Sequence, residues 1–131
     1  MLLKKEVAEI FENEAYHQFA TSSRDGKPNI CNIGGKFIRD DGEIVMVDNF
    51  MKKTIANLQE NSEIAILIRR EKESYQIKGT ARYLTTGEEY DQAYKWMKAK
   101  GDKYPAKGAI IITIHSVYNS MTGKNAGEGL Q

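Results

Sequence analysis

The residues best suited to chemistry form one run, Val47-Asp48-Asn49-Phe50-Met51-Lys52-Lys53-Thr54, where a strand-like pattern gives way to a helical one. The first turn of a helix exposes unpaired N–H groups and the positive end of its dipole, roughly half an elementary charge. Two adjacent lysines are disfavoured at such a point. A phosphate resolves the conflict, because helix N–H groups, a lysine ammonium and a threonine hydroxyl then converge on one dianion. The competing reading is a pair of solvated lysines with Asn49 or Thr54 acting as an N-cap. A second run, Cys31-Asn32-Ile33-Gly34-Gly35-Lys36, places two glycines inside an extended segment. Removing two side chains lets a flat ring system approach the backbone; it equally suits a β-bulge or a two-residue Gly-Gly hairpin.

Other chemistries lack their residues. His17 and His115 are far apart and have no partners at metal-ligand spacing, so each reads as a satisfied strand histidine and no metal site is expected. Cys31 is the only cysteine, cannot form an internal disulfide, and has no evident base to activate it. The serines lack a G-x-S-x-G setting, and no Gly-rich dinucleotide fingerprint is present. With no catalytic acid, base or nucleophile set, redox chemistry would belong to a bound cofactor.

These residues must be positioned by a chain of 131 residues, the size of one domain over 1–131. Its 40% hydrophobic and 28% charged content is that of a soluble globular protein, and a net charge of +1 argues against a broad basic surface for nucleic acid. The apolar runs Ile64–Ile68 and Ala109–Ile112 fall far short of the roughly 20 residues that span a bilayer. The start reads as an amphipathic pattern rather than a signal peptide, and the expected location is cytoplasmic.

Leu3, Val7, Ile10 and Phe11 recur at helical spacing, and further helices are expected over Lys53–Glu60 and Glu88–Lys100. Strands are expected over Tyr16–Ser22, Pro28–Arg39 (interrupted at Gly34-Gly35), Glu43–Asp48, Ile64–Arg70, Ser74–Thr86 and Ala109–Val117, with Asp40-Asp41-Gly42 as a hairpin turn. The tail, 119–131, reads as irregular. Six or seven strands with short turns and about three helices predict a mainly β fold with α, an antiparallel barrel flanked by helices.

Taken in order, several segments resemble the FMN-binding split β-barrel family related to pyridoxamine 5′-phosphate oxidase, and most of all its small bacterial and archaeal FMN-binding proteins. They are Asn32-Ile33-Gly34-Gly35, the Asp40-Asp41-Gly42 turn, the strand ending at Asp48, Lys52-Lys53-Thr54-Ile55-Ala56-Asn57-Leu58, Ile77-Lys78-Gly79-Thr80-Ala81 and Ala126-Gly127. The resemblance implies that Lys53 and Thr54 hold the FMN phosphate with Lys52 nearby. Val47, Asp48 and Asn49 would supply backbone or side-chain contacts. Asn32, Ile33, Gly34 and Gly35 would lie against the ribityl chain and the ring edge, and Tyr104 against the neighbouring subunit's flavin.

It further implies an FMN-dependent oxidoreductase or electron carrier, a homodimer with flavin at the interface, and a redox partner the sequence does not name. The final strand, Tyr118 and the tail are expected to reach the partner subunit. An F420 or haem binder, or a cofactor-free module, is the alternative on the same barrel. The arginine-rich phosphate segment and the substrate-binding Arg and His pattern of true pyridoxamine-phosphate oxidases are missing, so oxidation of a B6 vitamer is not expected. The tail reads Ser120-Met121-Thr122-Gly123 where relatives often carry Pro-Gly.

Overall fold

The helical periodicity at the start produces α1 (Lys5–Asn13), which buries Val7, Ile10 and Phe11. Two-residue alternation of buried and half-buried side chains then gives β1 (His17–Ser22), followed by β2 (Pro28–Ile33). The computed structural model, which describes every residue from Met1 to Gln131, continues through β3 (Lys36–Ile38), β4 (Ile44–Asp48), α2 (Lys53–Glu60), β5 (Glu63–Arg70), β6 (Glu73–Leu84), α3 (Glu88–Lys98) and β7 (Gly108–Asn119). All neighbouring strands are antiparallel, in the order β2-β1-β5-β6-β7-β4-β3. The fold is mainly β with α: a seven-stranded sheet curled into a half-barrel and flanked by three helices.

The strand order explains the curl. β2 and β3 are consecutive in the chain, yet they occupy opposite edges of the sheet. Only Gly34 and Gly35 separate them, and three Cα steps reach at most about 11 Å. The two edges are therefore drawn together, leaving a seam that the double glycine crosses. A Gly-Gly hairpin is ruled out, because β2 pairs with β1 and β3 with β4.

Two layers of packing hold this shape. Inside, α1 plugs the half-barrel, and Phe11 joins Phe19, Ile66, Ile77, Ile110 and Ile112 in one buried cluster. Outside, Ala93 and Met97 of α3 cover Val45, Val47, Ala109 and Ile111. Both faces of β4 and of the start of β7 are thus buried, which is why those segments read as unbroken apolar runs rather than alternating ones. Each isoleucine so buried contributes about 1.5–3 kcal/mol. At the Lys78/Gly79 register shift β7 bulges, with His115 as the extra residue, and a Cβ on Gly79 would collide with the Thr113 carbonyl.

β7 continues to Asn119, past the expected end at Val117, and lies inside its own sheet between β6 and β4. The tail has no regular element, but it folds back along the end of β7. Leu130 N–H donates to the Val117 carbonyl and Asn119 N–H to that of Glu128, each at 2.8 Å. Gln131 then bridges to the N-terminus, donating to the Leu2 carbonyl at 2.7 Å and accepting from Lys4 N–H at 3.0 Å. No helix is long and apolar enough to cross a membrane.

Candidate functional site

A cavity of about 860 Å³ opens along the seam, within the size range of small-molecule and cofactor sites. Its walls come from β2 and the glycine crossing, the start of α2, the end of α1, and the end of α3 with the loop after it. Of the residues expected from the sequence, Asn32, Ile33, Gly34, Gly35, Val47, Asn49, Lys52, Lys53, Thr54 and Tyr104 all line it; Asp48 does not.

The α2 end is rich in donors. Lys52 occupies the N-cap with no side-chain cap, and the first turn holds no acidic residue. The N–H groups of Lys53, Thr54 and Ile55 find no acceptor within the chain; the first bond of the helix runs from Ala56 N–H to the Lys52 carbonyl. Both lysines are exposed and neither forms an ion pair. Thr54 is buried, and its Oγ1 accepts from Asn29 Nδ2 at 3.1 Å and lies 3.3 Å from Cys31 Sγ. Neither proposed N-cap operates: Thr54 is inside the helix, and Asn49 Oδ1 instead accepts Ala106 N–H at 3.0 Å. Three free N–H groups, two ammonium groups and a hydroxyl match what a phosphate monoester requires.

The glycine crossing forms the middle of the cavity. A Cβ on Gly34 would lie 3.1 Å from the Tyr16 ring, and one on Gly35 would lie 2.8 Å from Met97 Sδ. Neither glycine has a positive φ. The absent side chains therefore let Tyr16 and Met97 close on the backbone from two sides. Beyond Met97, Trp96 packs at a tilt of 39° against Phe37 with ring centroids 4.8 Å apart, and Tyr104 completes the wall half-buried. Asn32 accepts from Gln18 Nε2 at 2.8 Å.

Asp48 acts beneath the wall. Its side chain is buried; Oδ1 accepts Met51 N–H at 2.9 Å and Oδ2 accepts the Tyr83 hydroxyl at 2.7 Å. Lys107 Nζ stands 3.7 Å from Oδ1 and donates to the Met51 carbonyl at 3.2 Å. Burial, then the bond to Asp48, pushes the Tyr83 hydroxyl far above its ordinary value. This cluster shapes the Asn49–Lys52 loop that presents the lysines.

At the other end, Lys36 is buried and donates to the Glu14 carbonyl at 2.8 Å, with its ammonium 5.5 Å from the Phe11 ring centroid. Burial lowers its pKa. His17 is held beside it through Nε2 and the Phe11 carbonyl at 2.9 Å, and burial lowers its pKa too. Both side chains satisfy carbonyls at the end of α1. His115 pairs with Thr80 Oγ1 at 3.1 Å on the sheet. Both histidines are satisfied strand residues, as their isolation in the sequence implied.

Sequence reasoning missed Asn29, Tyr16, Trp96 and Met97 as wall residues and took Cys31 only as an unactivated thiol and the first residue of the glycine-containing run. One signal was available: Asn29 and Cys31 alternate on the same face of β2 as each other, as residues two apart in a strand must. Around the mouth, Tyr16, Ile30 and Phe50 are 68%, 65% and 72% exposed, an apolar rim on a site with mixed polar and apolar walls.

Comparison with known proteins agrees with this architecture. An uncharacterized protein of Methanocaldococcus jannaschii is 36% identical over 129 residues, covering 96% of this chain and 86% of that one. HupZ of Group A Streptococcus matches at TM-score 0.81 and 27% identity, over 96% of this chain and 100% of its own. An FMN-binding protein from Syntrophomonas wolfei subsp. wolfei shares the fold at TM-score 0.75 and 20% identity, over 92% of this chain and 90% of its own. The same fold carries the haem storage protein HutZ of Vibrio cholerae (TM-score 0.71, 14% identity, 92% and 97% covered) and an F420 reductase (TM-score 0.66, 14% identity, 88% and 98% covered). The family model for pyridoxamine 5′-phosphate oxidase matches residues 3–121, and with nearly the whole chain so accounted for, this protein belongs to the pyridoxamine 5′-phosphate oxidase family.

Proposed function

We propose that the protein is a flavoprotein that binds FMN non-covalently and acts as an oxidoreductase or electron carrier. One observation carries this reading: unpaired N–H groups of the first turn of α2, two unpaired lysines and a threonine hydroxyl gather at one end of a cavity. Lys52, Lys53 and Thr54 would hold the phosphate. Asn32, Ile33, Gly34, Gly35, Val47 and Asn49 would line the ribityl chain and ring edge. Bound FMN would supply reversible electron transfer. The chain's part is to bind, orient and shield, since the cavity brings together no acid, base and nucleophile set.

Haem is the weaker reading, because neither histidine lines the cavity and an axial ligand would have to come from a tyrosine, a methionine or Cys31. Pyridoxamine phosphate is not the proposed substrate. The exposed rim of Tyr16, Ile30 and Phe50 suits a second copy of this chain, which would bury the rim and cover the cavity. Two-fold symmetry would then produce two equivalent sites, with Tyr104 near the partner's cofactor. The single thiol fits a reducing, cytoplasmic setting.

The test is spectroscopic and then thermodynamic. The purified protein should take up FMN with a flavin spectrum; a haem Soret band or a deazaflavin band would overturn the reading. In Lys53→Ala, FMN affinity should fall about tenfold while riboflavin, which lacks the phosphate, is unaffected. That is the low end for a charge-assisted hydrogen bond, as suits an exposed lysine. Equal weakening of both ligands would refute the phosphate assignment.

A further inference from the structure

Beneath the first turn of α2, four polar side chains form a closed group. Thr21 on β1 and Asn29 on β2 are direct cross-strand partners. Thr54 and Asn57, three residues apart, share one face of α2. Asn29 Nδ2 lies 3.1 Å from Thr54 Oγ1 and 3.3 Å from Thr21 Oγ1, and Asn57 Nδ2 donates to Thr21 Oγ1 at 3.0 Å. Asn29 is thereby fixed from both the sheet and the helix.

We infer that Asn29 is a positioning residue for the cofactor phosphate: by donating to Thr54 Oγ1, it leaves the threonine's own proton to point into the cavity. The inference rests on the FMN reading above. A hydroxyl has one proton to give and two lone pairs to receive with. With one lone pair taken by Asn29, the Thr54 proton has one other neighbour in the chain, Cys31 Sγ at 3.3 Å, and sulfur is a weak acceptor. Asn29, Cys31 and Thr54 all line the cavity, beside the unpaired N–H groups of Lys53, Thr54 and Ile55. A phosphate oxygen is the acceptor that this arrangement lacks. Asn29 thus fixes the direction of a donor that would otherwise rotate, and the orientation is set before the ligand arrives.

A double-mutant cycle on the full chain separates this role from simple packing. Asn29→Ala, Thr54→Val and the double variant are titrated with FMN and with riboflavin. Thr54→Val and Asn29→Ala should each weaken FMN about tenfold and leave riboflavin within about twofold, the loss of one charge-assisted hydrogen bond. The double variant should bind FMN no worse than Thr54→Val, because Asn29 acts through Thr54. Asn29→Asp keeps the shape but replaces the donor by an acceptor that draws the threonine proton back, so it should weaken FMN more than Asn29→Ala does. Retained riboflavin binding reports that each variant is folded. Additive losses in the double variant, equal losses of both ligands in Asn29→Ala, or wild-type FMN binding by Asn29→Asp would each overturn the inference. Failure of the FMN reading looks different: then Lys53→Ala and Thr54→Val also fail to separate the two ligands.

Discussion

Replacing Asp48 tests whether the loop that carries the lysines is held from below. The carboxylate is 1% exposed and serves Met51 N–H, the Tyr83 hydroxyl and Lys107 together. Gly108 makes room for this cluster, since a Cβ there would collide with the Tyr83 ring. Asp48→Ala leaves Met51 N–H and the Tyr83 hydroxyl without an acceptor, at roughly 1–3 kcal/mol for each such group. A total of about 2–6 kcal/mol follows, against roughly 5–15 kcal/mol for a whole domain. For a chain of this size, each kcal/mol shifts the midpoint by about 4 °C, so thermal melts should drop by about 8–24 °C. Asp48→Asn is milder. It keeps an oxygen for Met51 and confronts Tyr83 with an amide, to which the tyrosine hydroxyl can turn as acceptor, and should cost about 1–2 kcal/mol. Folded Asp48→Asn should also bind FMN less tightly although Asp48 does not line the cavity, because the Asn49–Lys52 loop loses part of its anchor. The decisive measurement is a urea-denaturation cycle with Tyr83→Phe, which removes the other partner. A coupling energy of about 1 kcal/mol or more is expected. Additive losses, with coupling below about 0.5 kcal/mol, would show that the Asp48–Tyr83 contact contributes nothing of its own.

Acid should destabilise the fold through His17. Burial holds its pKa below the ordinary 6.5, so the unfolded chain binds more protons there and the His17 contribution is lost as pH falls from 6.5 toward the lowered value. Melting temperature should fall between about pH 7.5 and pH 5.5, and less steeply in His17→Gln; identical slopes would remove His17 as the cause. Gly35→Val forces its side chain against Met97, so flavin titration should register a larger loss than urea denaturation does; normal binding would make the crossing irrelevant to the ligand. Light scattering on the FMN-loaded protein should give about twice the 14.8 kDa chain mass, with Phe50→Glu shifting it toward the monomer; a mass of one chain at working concentration would defeat the dimer.

The elements were legible because their signals are local. Helical spacing of Val7, Ile10 and Phe11 and the Asp40-Asp41-Gly42 turn, with Gly42 at φ 90°, each act within a few residues. The β5–β6 hairpin was found as well, although its turn puts Glu71 at φ 52° where no glycine announced it. Strand neighbours were not legible in the same way. Nothing near Gly34-Gly35 says that β2 and β3 belong to opposite edges, since that depends on β4 pairing with β7 some 60 residues later in the chain. The covering of the start of β7 by α3 was not legible for a related reason: an apolar strand can be buried by any partner element, and only the packed structure names which.

The candidate site divides along the same line. The start of α2 was readable because its chemistry is odd, two lysines at the positive end of a helix dipole, and oddness survives without knowledge of neighbours. Asp48 shows the limit of reading a run of consecutive residues as one surface. Side chains alternate across a strand, so Val47 and Asn49 turn toward the cavity while Asp48 between them turns to Tyr83 and Lys107. The same alternation puts Asn29 and Cys31 together on β2, although neither residue type draws attention alone. Tyr16, Trp96 and Met97 were beyond reach for another reason. They come from the turn after α1 and the end of α3, some 80 residues apart, and Tyr16 and Met97 close on the same crossing only because its two glycines lack the side chains that would hold them off. The crossing that curls the sheet is therefore also what brings the cavity's walls together, so fold and site depend on the same two residues.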